Sequence, residues 1–347
     1  SAWRGAIHDT ASTACVTAMI LARERATHYS KNGAGLQGEP APLVVYSTSQ
    51  AHSSVAKAVQ LAGFGNENLR LVDEDPYTRA MLPDALAAAI ESDLSRGHVP
   101  AGIVCSVGAT GTTAMDPVEA IAAVAGKHGV WLHVDAAMAG SAMLLPECRH
   151  LWQGVEQADS LAWNPHKWMG TILDTALFYV RDVAHLERVM STNPAYLRSG
   201  ADGQVTQYRD WGIPLGRRFR ALKLWFHLRL EGVETIRARL RRDLDNAQWF
   251  ARQVEAAEGW EVLAPVPLQT VCIRHVPVGA DGLALQGEAL DAHTLDWVGR
   301  VNASGSAFLT PSLLDGRWMA RVSIGVESTD REHVARLWQI LQDAART

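Results

Sequence analysis

Short apolar runs alternate with helix-patterned stretches through the first two-thirds of this sequence, and nothing else in it constrains the fold as strongly. The runs are "PLVVYSTSQ", "LRLV", "AGIVCSVGATGTT", "VWLHVDAA", "SLAWN" and "TALFYV". Between them stand "ASTACVTAMILARERATHYS", "SSVAKAVQLAG", "PDALAAAIESDLSRG" and "PVEAIAAVAGKHG". The last two open on a proline and close on a glycine, which suits the first turn and the end of a helix. Continuous apolar strands separated by helices of about 10–15 residues predict a mostly parallel sheet covered on both faces. In open α/β sheets ligands bind beyond the carboxyl ends of the strands. Polar residues gather at those ends here: Ser47 to His52, Thr110 to Thr113, Asp135, and Asn164 to Lys167.

The rest of the chain reads differently. Residues 191–218 have little periodicity and are long for a connection, as mobile functional loops are. Long helical patterns follow, then the strands "TVCIRHV" and "MARVSIG" and a helix over 331–345. The expected division is a large ligand-binding domain at 1–225 and a smaller α+β domain at 226–347. Before the first helix, "SAWRGAIHDT" leaves no room for an opening strand.

Composition narrows the function. The 347 residues carry a net charge of -5, without the basic excess of nucleic-acid binders. No apolar stretch is long enough to span a bilayer, and residues 1–30 lack the pattern of a signal peptide. The four cysteines, Cys15, Cys105, Cys148 and Cys272, have no metal or redox spacing. Cys105 and Cys272 lie in apolar runs and are expected to be buried thiols in a reducing, cytoplasmic setting.

Lys167 follows a strand in "NPHKWMG". Taken alone it reads more readily as a solvated surface lysine than as a catalytic one. With Trp163, Trp168 and Met169 around it, an apolar surround would lower its pKa and make it a Schiff-base nucleophile. Asp135 ends "VWLHVD" ahead of the small residues "AAMAGSA". It can cap a turn, or it can hold the ring nitrogen of pyridoxal 5'-phosphate (PLP) protonated. "DTASTA" opens the first helix and suits either an ordinary cap or a phosphate. Thr113 offers a further cofactor contact, and His52 a ring for stacking. The order of these residues along the chain is consistent with a PLP site.

These segments resemble the group II PLP-dependent amino acid decarboxylases, and most closely the aromatic-L-amino-acid decarboxylases. The resemblance runs through "TAS" at 10–12, "QAHSSV" at 50–55, "GTT" at 111–113 and "HVDAAMAGSA" at 133–142. It continues through "ADSLAWNPHKW" at 158–168 and "YRDWGIPLGRRFRALKLW" at 208–225. It implies the fold-type-I architecture of aspartate aminotransferase, a PLP cofactor, no metal, and a homodimer with active sites at the interface. It implies that Lys167 forms the Schiff base, Asp135 partners the ring nitrogen and Ala137 packs under the ring. Ala11 and Ser12 match the phosphate-binding pair, and Thr113 a cofactor-contacting threonine. His52 matches the histidine stacked on the ring, and Asn164 and His166 match site residues before the lysine. Tyr196, in "NPAYL", matches a mobile-loop tyrosine that serves as general acid.

The implied reaction is decarboxylation of an aromatic L-amino acid to its amine. In the family, phenylalanine at the place of Tyr196 accompanies aldehyde-forming chemistry. Gly216 stands where histidine decarboxylases carry serine, leaving room for a bulky ring. Two departures are visible. Met138 stands where animal relatives have tyrosine, and the family's N-terminal segment ahead of the "TAS" helix has no counterpart. A decarboxylase for histidine or glutamate, and a PLP-binding subunit or pseudoenzyme inactive without that segment, stay open, as does an α/β protein with no cofactor.

Overall fold

The computed structural model describes residues 3–192, 194–197, 200, 204–279 and 282–346. The chain divides into two compact units. The first comprises residues 1–75, 80–108 and 115–232, and the second 76–79, 109–114 and 233–347.

The first unit is built on seven strands. They are β1 (Arg4–His8), β2 (Leu43–Ser47), β3 (Leu69–Leu71), β4 (Val99–Ser106), β5 (Trp131–Asp135), β6 (Ser160–Trp163) and β7 (Ala176–Val180). Their order is β1-β7-β6-β5-β4-β2-β3. The pairs β2–β3, β2–β4, β4–β5 and β5–β6 are parallel, and β7 runs antiparallel between β6 and β1. β2 and β5 are buried along their whole length, as the unbroken apolar runs predict for a sheet covered on both faces.

The helices of this unit are α1 (Ala11–Ala26), α2 (Lys31–Ala34), α3 (Ser54–Leu61), α4 (Pro83–Ser95), α5 (Val118–His128), α6 (Val183–Met190) and α7 (Arg220–Glu231). α1 packs on β4, β5, β6 and β7. Its small side chains permit the approach: a Cβ on Gly102 of β4 would lie 3.3 Å from Ala22 Cβ. Pro83 fills the first turn of α4, where its missing N–H costs nothing. Gly129 closes α5 in the left-handed conformation at φ 68°.

The opening strand corrects the sequence reading. β1 pairs with β7 from Arg4↔Val180 to His8↔Ala176. It stands at the edge of the sheet, so only alternate residues, Ala6 and His8, are buried. A five-residue edge strand whose partner lies some 170 positions away leaves no long apolar run to read.

The second unit has helices α8 (Val233–Glu255), α9 (Gly287–Ala303) and α10 (Arg331–Arg346). Its strands are β8 (Trp260–Val262), β9 (Thr270–His275), β10 (Thr310–Leu314) and β11 (Arg317–Ser323), in the antiparallel order β10-β11-β9-β8. Phe250, Trp297 and Leu341 are fully enclosed in its core. No helix among the described residues is long and apolar enough to cross a membrane. All four cysteines are buried, and none forms a disulfide among the described residues.

Candidate active site

β2, β4, β5 and β6 all end at one edge of the first unit's sheet, and β1, parallel to β6 across β7, ends there too. Eight of the ten residues singled out from the sequence follow directly from those ends. Ala11 and Ser12 follow β1, and His52 follows β2. Asp135 ends β5 with Ala137 beyond it, while Asn164, His166 and Lys167 follow β6.

The lysine sits on a tight connection between β6 and β7. Lys167 N–H bonds the Asn164 carbonyl at 3.0 Å, and Gly170 N–H bonds the Lys167 carbonyl at 3.0 Å. Thr171 N–H reaches the Pro165 carbonyl at 3.0 Å. The far end is closed by His166, whose Nδ1 accepts the Thr175 N–H at 2.9 Å, so the neutral ring carries its hydrogen on Nε2. Burial lowers the His166 pKa, and Lys167 adds to the effect. Trp168 and Met169 turn into the interior, at 3 % and 2 % exposure. Lys167 itself is exposed, against the expected apolar surround: the turn sends its two apolar neighbours inward and the lysine outward from the strand end.

Asp135 is only 9 % exposed. Its Oδ1 accepts the Ala137 N–H at 3.0 Å, and its Oδ2 has no hydrogen bond among the described residues. His52 Nδ1 lies 2.8 Å from Ser54 Oγ and 3.1 Å from Ser54 N, which fixes the ring at the start of α3. Partial burial lowers the His52 pKa; the Lys167 charge lowers it further and Asp135 opposes. The three groups therefore act on one another through space.

α1 opens on Thr10, whose hydroxyl accepts the Thr13 N–H at 3.4 Å. The N–H groups of Ala11 and Ser12 carry no hydrogen bond among the described residues, and no acidic side chain occupies the first turn. Unpaired N–H groups at the positive end of a helix favour a phosphate. Asn164 is buried, and its Oδ1 has no hydrogen-bond partner among the described residues. An anion cradle, a carboxylate with an unused oxygen, an amine and an unsatisfied buried carbonyl oxygen fit PLP, which has a phosphate, a ring nitrogen, an aldehyde and a phenolic hydroxyl.

Two of the ten residues remain. Thr113 belongs to the 109–114 segment of the second unit; its φ is 61° and its buried hydroxyl has no hydrogen-bond partner among the described residues. Tyr196 lies on a short 3-10 turn (Ala195–Leu197) and is 82 % exposed. Residues 193, 198, 199 and 201–203 of the expected 191–218 loop lie outside the described residues. A Cβ on Gly216 would meet nothing within 4 Å, so no wall within this chain makes glycine necessary there.

Sequence reasoning missed what holds the lysine turn. Asp174, at its far end, accepts from Arg220 at 2.8 Å and Lys223 at 3.0 Å, and the Arg220 bond in particular holds its carboxyl far below the ordinary range. His227 Nε2 lies 3.0 Å from the Met169 carbonyl oxygen. Positions 220, 223 and 227 share one face of α7, a spacing visible in the sequence once a partner is sought for it.

A sheet of this order, with a lysine turn and a strand-end aspartate at its carboxyl edge, defines a PLP-dependent enzyme of fold type I. Residues 3–276 match the pyridoxal-dependent decarboxylase conserved domain. The chain is 39 % identical to tryptophan decarboxylase 2 of Oryza sativa subsp. japonica, over 98 % of its own length and 67 % of that protein's. It is also 39 % identical to phenylacetaldehyde synthase of Arabidopsis thaliana, over 98 % of its length and 68 % of the relative's. It thus spans about two thirds of the curated relatives it matches. The crystal structure of Oryza sativa TDC with PLP and tryptamine superposes with a TM-score of 0.93 at 34 % identity, covering 100 % of this chain and 71 % of that one. The chain belongs to the pyridoxal-dependent decarboxylase family, and its cofactor is PLP.

Proposed function

We propose that this protein decarboxylates an aromatic L-amino acid, releasing the amine and carbon dioxide, with Lys167 as the residue that carries the cofactor. One observation supports this most: Lys167, Asp135, His52 and the unpaired N–H groups of α1 meet at a single sheet edge, each able to take a different part of PLP. The relatives named for tryptophan and tyrosine decarboxylation favour an aromatic substrate. Bound PLP supplies an electron sink for the bond that loses the carboxylate.

The chain's own residues do the rest. Ala11 and Ser12 bind the phosphate through their N–H groups. Asp135 Oδ2 would accept the hydrogen bond of the ring N–H and so keep the ring nitrogen protonated. His52, steered by Ser54, presents its flat ring for stacking, and Ala137 leaves the opposite face open. Asn164 and His166 hold the lysine turn and the cofactor side of the pocket. Tyr196 delivers the proton to Cα from its hydroxyl.

Borohydride reduction of the holoenzyme tests the lysine directly. The adduct is expected on Lys167 and absent in Lys167→Ala; an adduct elsewhere, or none, overturns the assignment. Amine release from tryptophan, tyrosine, phenylalanine, DOPA, histidine and glutamate then separates the substrate classes.

An aldehyde-forming reading is favoured by the equally similar phenylacetaldehyde synthase. Tyr196 separates the two. A positioned general acid contributes a factor of about 100 or more, so Tyr196→Phe should cut amine formation by at least that much and raise the aldehyde. Aldehyde as the main product of the unaltered protein would reverse the proposal.

We also propose a homodimer. α7 has no buried residue, and Leu222, Trp225, Phe226 and Leu230 are exposed on it. Apolar surface of that extent marks an association face. Four buried cysteines without a disulfide among the described residues suit a reducing cytoplasm.

A further inference from the structure

We propose that His227 is a positioning residue for Lys167: its imidazole ties the lysine turn to α7 through the Met169 carbonyl, while Glu231 holds the imidazole in place. This rests on the assignment of Lys167 as the cofactor lysine.

Within the turn, backbone bonds engage the carbonyls of Asn164, Pro165 and Lys167. The Met169 carbonyl, two residues past the lysine, receives the His227 ring at 3.0 Å. Glu231, one helical turn further along α7, places a carboxylate oxygen 3.2 Å from His227 Nδ1. The His227 side chain is 10 % exposed and that of Glu231 23 %, so both contacts are largely shielded from competing water. A carbonyl and a carboxylate both accept, so the ring serves both partners fully as the imidazolium, and Met169 alone in the Nε2–H tautomer. Arg220 and Lys223 grip Asp174 from the same face of the helix. The turn is thus held from one side at two points, and Lys167 lies between the closing pair His166–Thr175 and the His227 contact. Losing the contact removes the tie between this carbonyl and α7.

Three variants isolate this. His227→Leu removes both contacts, His227→Gln keeps an amide donor near the Nε2 position, and Glu231→Gln keeps an acceptor for Nδ1 without its charge. The first measurement is hydrogen exchange at Gly170 and Thr171, made on the full chain with no cofactor added. The second is the rate of borohydride-trapped PLP adduct formation at Lys167. One lost hydrogen bond is worth about a five-fold change in an equilibrium. His227→Leu should therefore exchange about five-fold faster at these amides and trap correspondingly more slowly. His227→Gln should restore both, and Glu231→Gln should fall between. A melting curve matching the unaltered protein certifies that each variant is folded, and if His227→Leu fails to fold, Glu231→Gln and His227→Gln carry the comparison.

Unchanged exchange in the folded variants overturns the proposal. Faster exchange with unchanged trapping also overturns it, because an ordered turn would then be irrelevant to the lysine. Failure of the unaltered protein to trap PLP on Lys167 defeats instead the functional assignment beneath it.

Discussion

A buried carboxylate outside the catalytic set shows how far single groups are bent to serve this fold. Asp116 accepts the N–H groups of Met81 and Ser106, both at 2.7 Å, and so ties the end of β4 to the segment before α4. Burial pushes its pKa up to about 6, with Glu74 adding to the rise. The folded state then holds the proton more tightly than the unfolded chain. Its stabilising effect is complete below the ordinary carboxylate pKa and is lost as pH rises through about 6. The change amounts to about 3 kcal/mol, at about 1.4 kcal/mol per pKa unit. Asp116→Asn cannot ionise and also loses one acceptor, so its stability deficit should be largest near pH 4 and shrink by about that amount by pH 7. Denaturant titrations at the two pH values decide the matter; a deficit independent of pH would contradict the assignment. At this scale the sequence was informative about position, because Lys167, Asp135 and His52 are placed by the strands they end or follow. It was silent where a role comes from a partner far along the chain. His227 and Asp174 are ordinary residues until α7 and the lysine turn are brought together.

Among elements, the 3-10 segment over Ala139–Leu144 explains why small residues follow Asp135. A Cβ on Gly140 would lie 2.4 Å from the Trp163 ring, and Trp163 Nε1 donates to Ser141 Oγ at 3.2 Å. Trp163 is the last residue of β6, directly before the lysine turn. Gly140→Ala must therefore displace that ring. It should cost about 1–3 kcal/mol, the usual penalty for overpacking, and weaken PLP binding with it. Calorimetry and a PLP titration measure the two effects; a variant as stable as the parent would show that the ring has room to yield. The helices and buried strands were legible because 3.6-residue and continuous apolar patterns are local. β1 was not, since it is a short edge strand with few fully buried residues and its partner β7 lies far along the chain; β10 pairs locally with β11 across Asp315 and Gly316, but with one buried residue in five it carries no apolar pattern to read.

For the molecule as a whole, the exposed apolar face of α7 carries the most specific expectation. Its other face grips the lysine turn, so the helix stands between a proposed subunit contact and Lys167, the proposed cofactor lysine. Replacing Trp225 and Phe226 by glutamate should convert the dimer to monomer in sedimentation analysis. It should also depress trapping at Lys167, although neither residue is among those proposed to touch PLP. A protein that is already monomeric before substitution would remove the basis for the dimer.

The pairing of β1 has a consequence for how the chain is made. Among the described residues β1 pairs with β7, so on a ribosome that pairing must wait until residues 176–180 have emerged. Through that interval β6 has no neighbour on its outer side and the first strand has none at all. Non-local closure of this kind is slow and leaves pairing edges open to other chains. The moment at which β7 joins β1 and β6 is thus when the nascent protein passes from aggregation-prone to safe, and it comes before α7 has been synthesised.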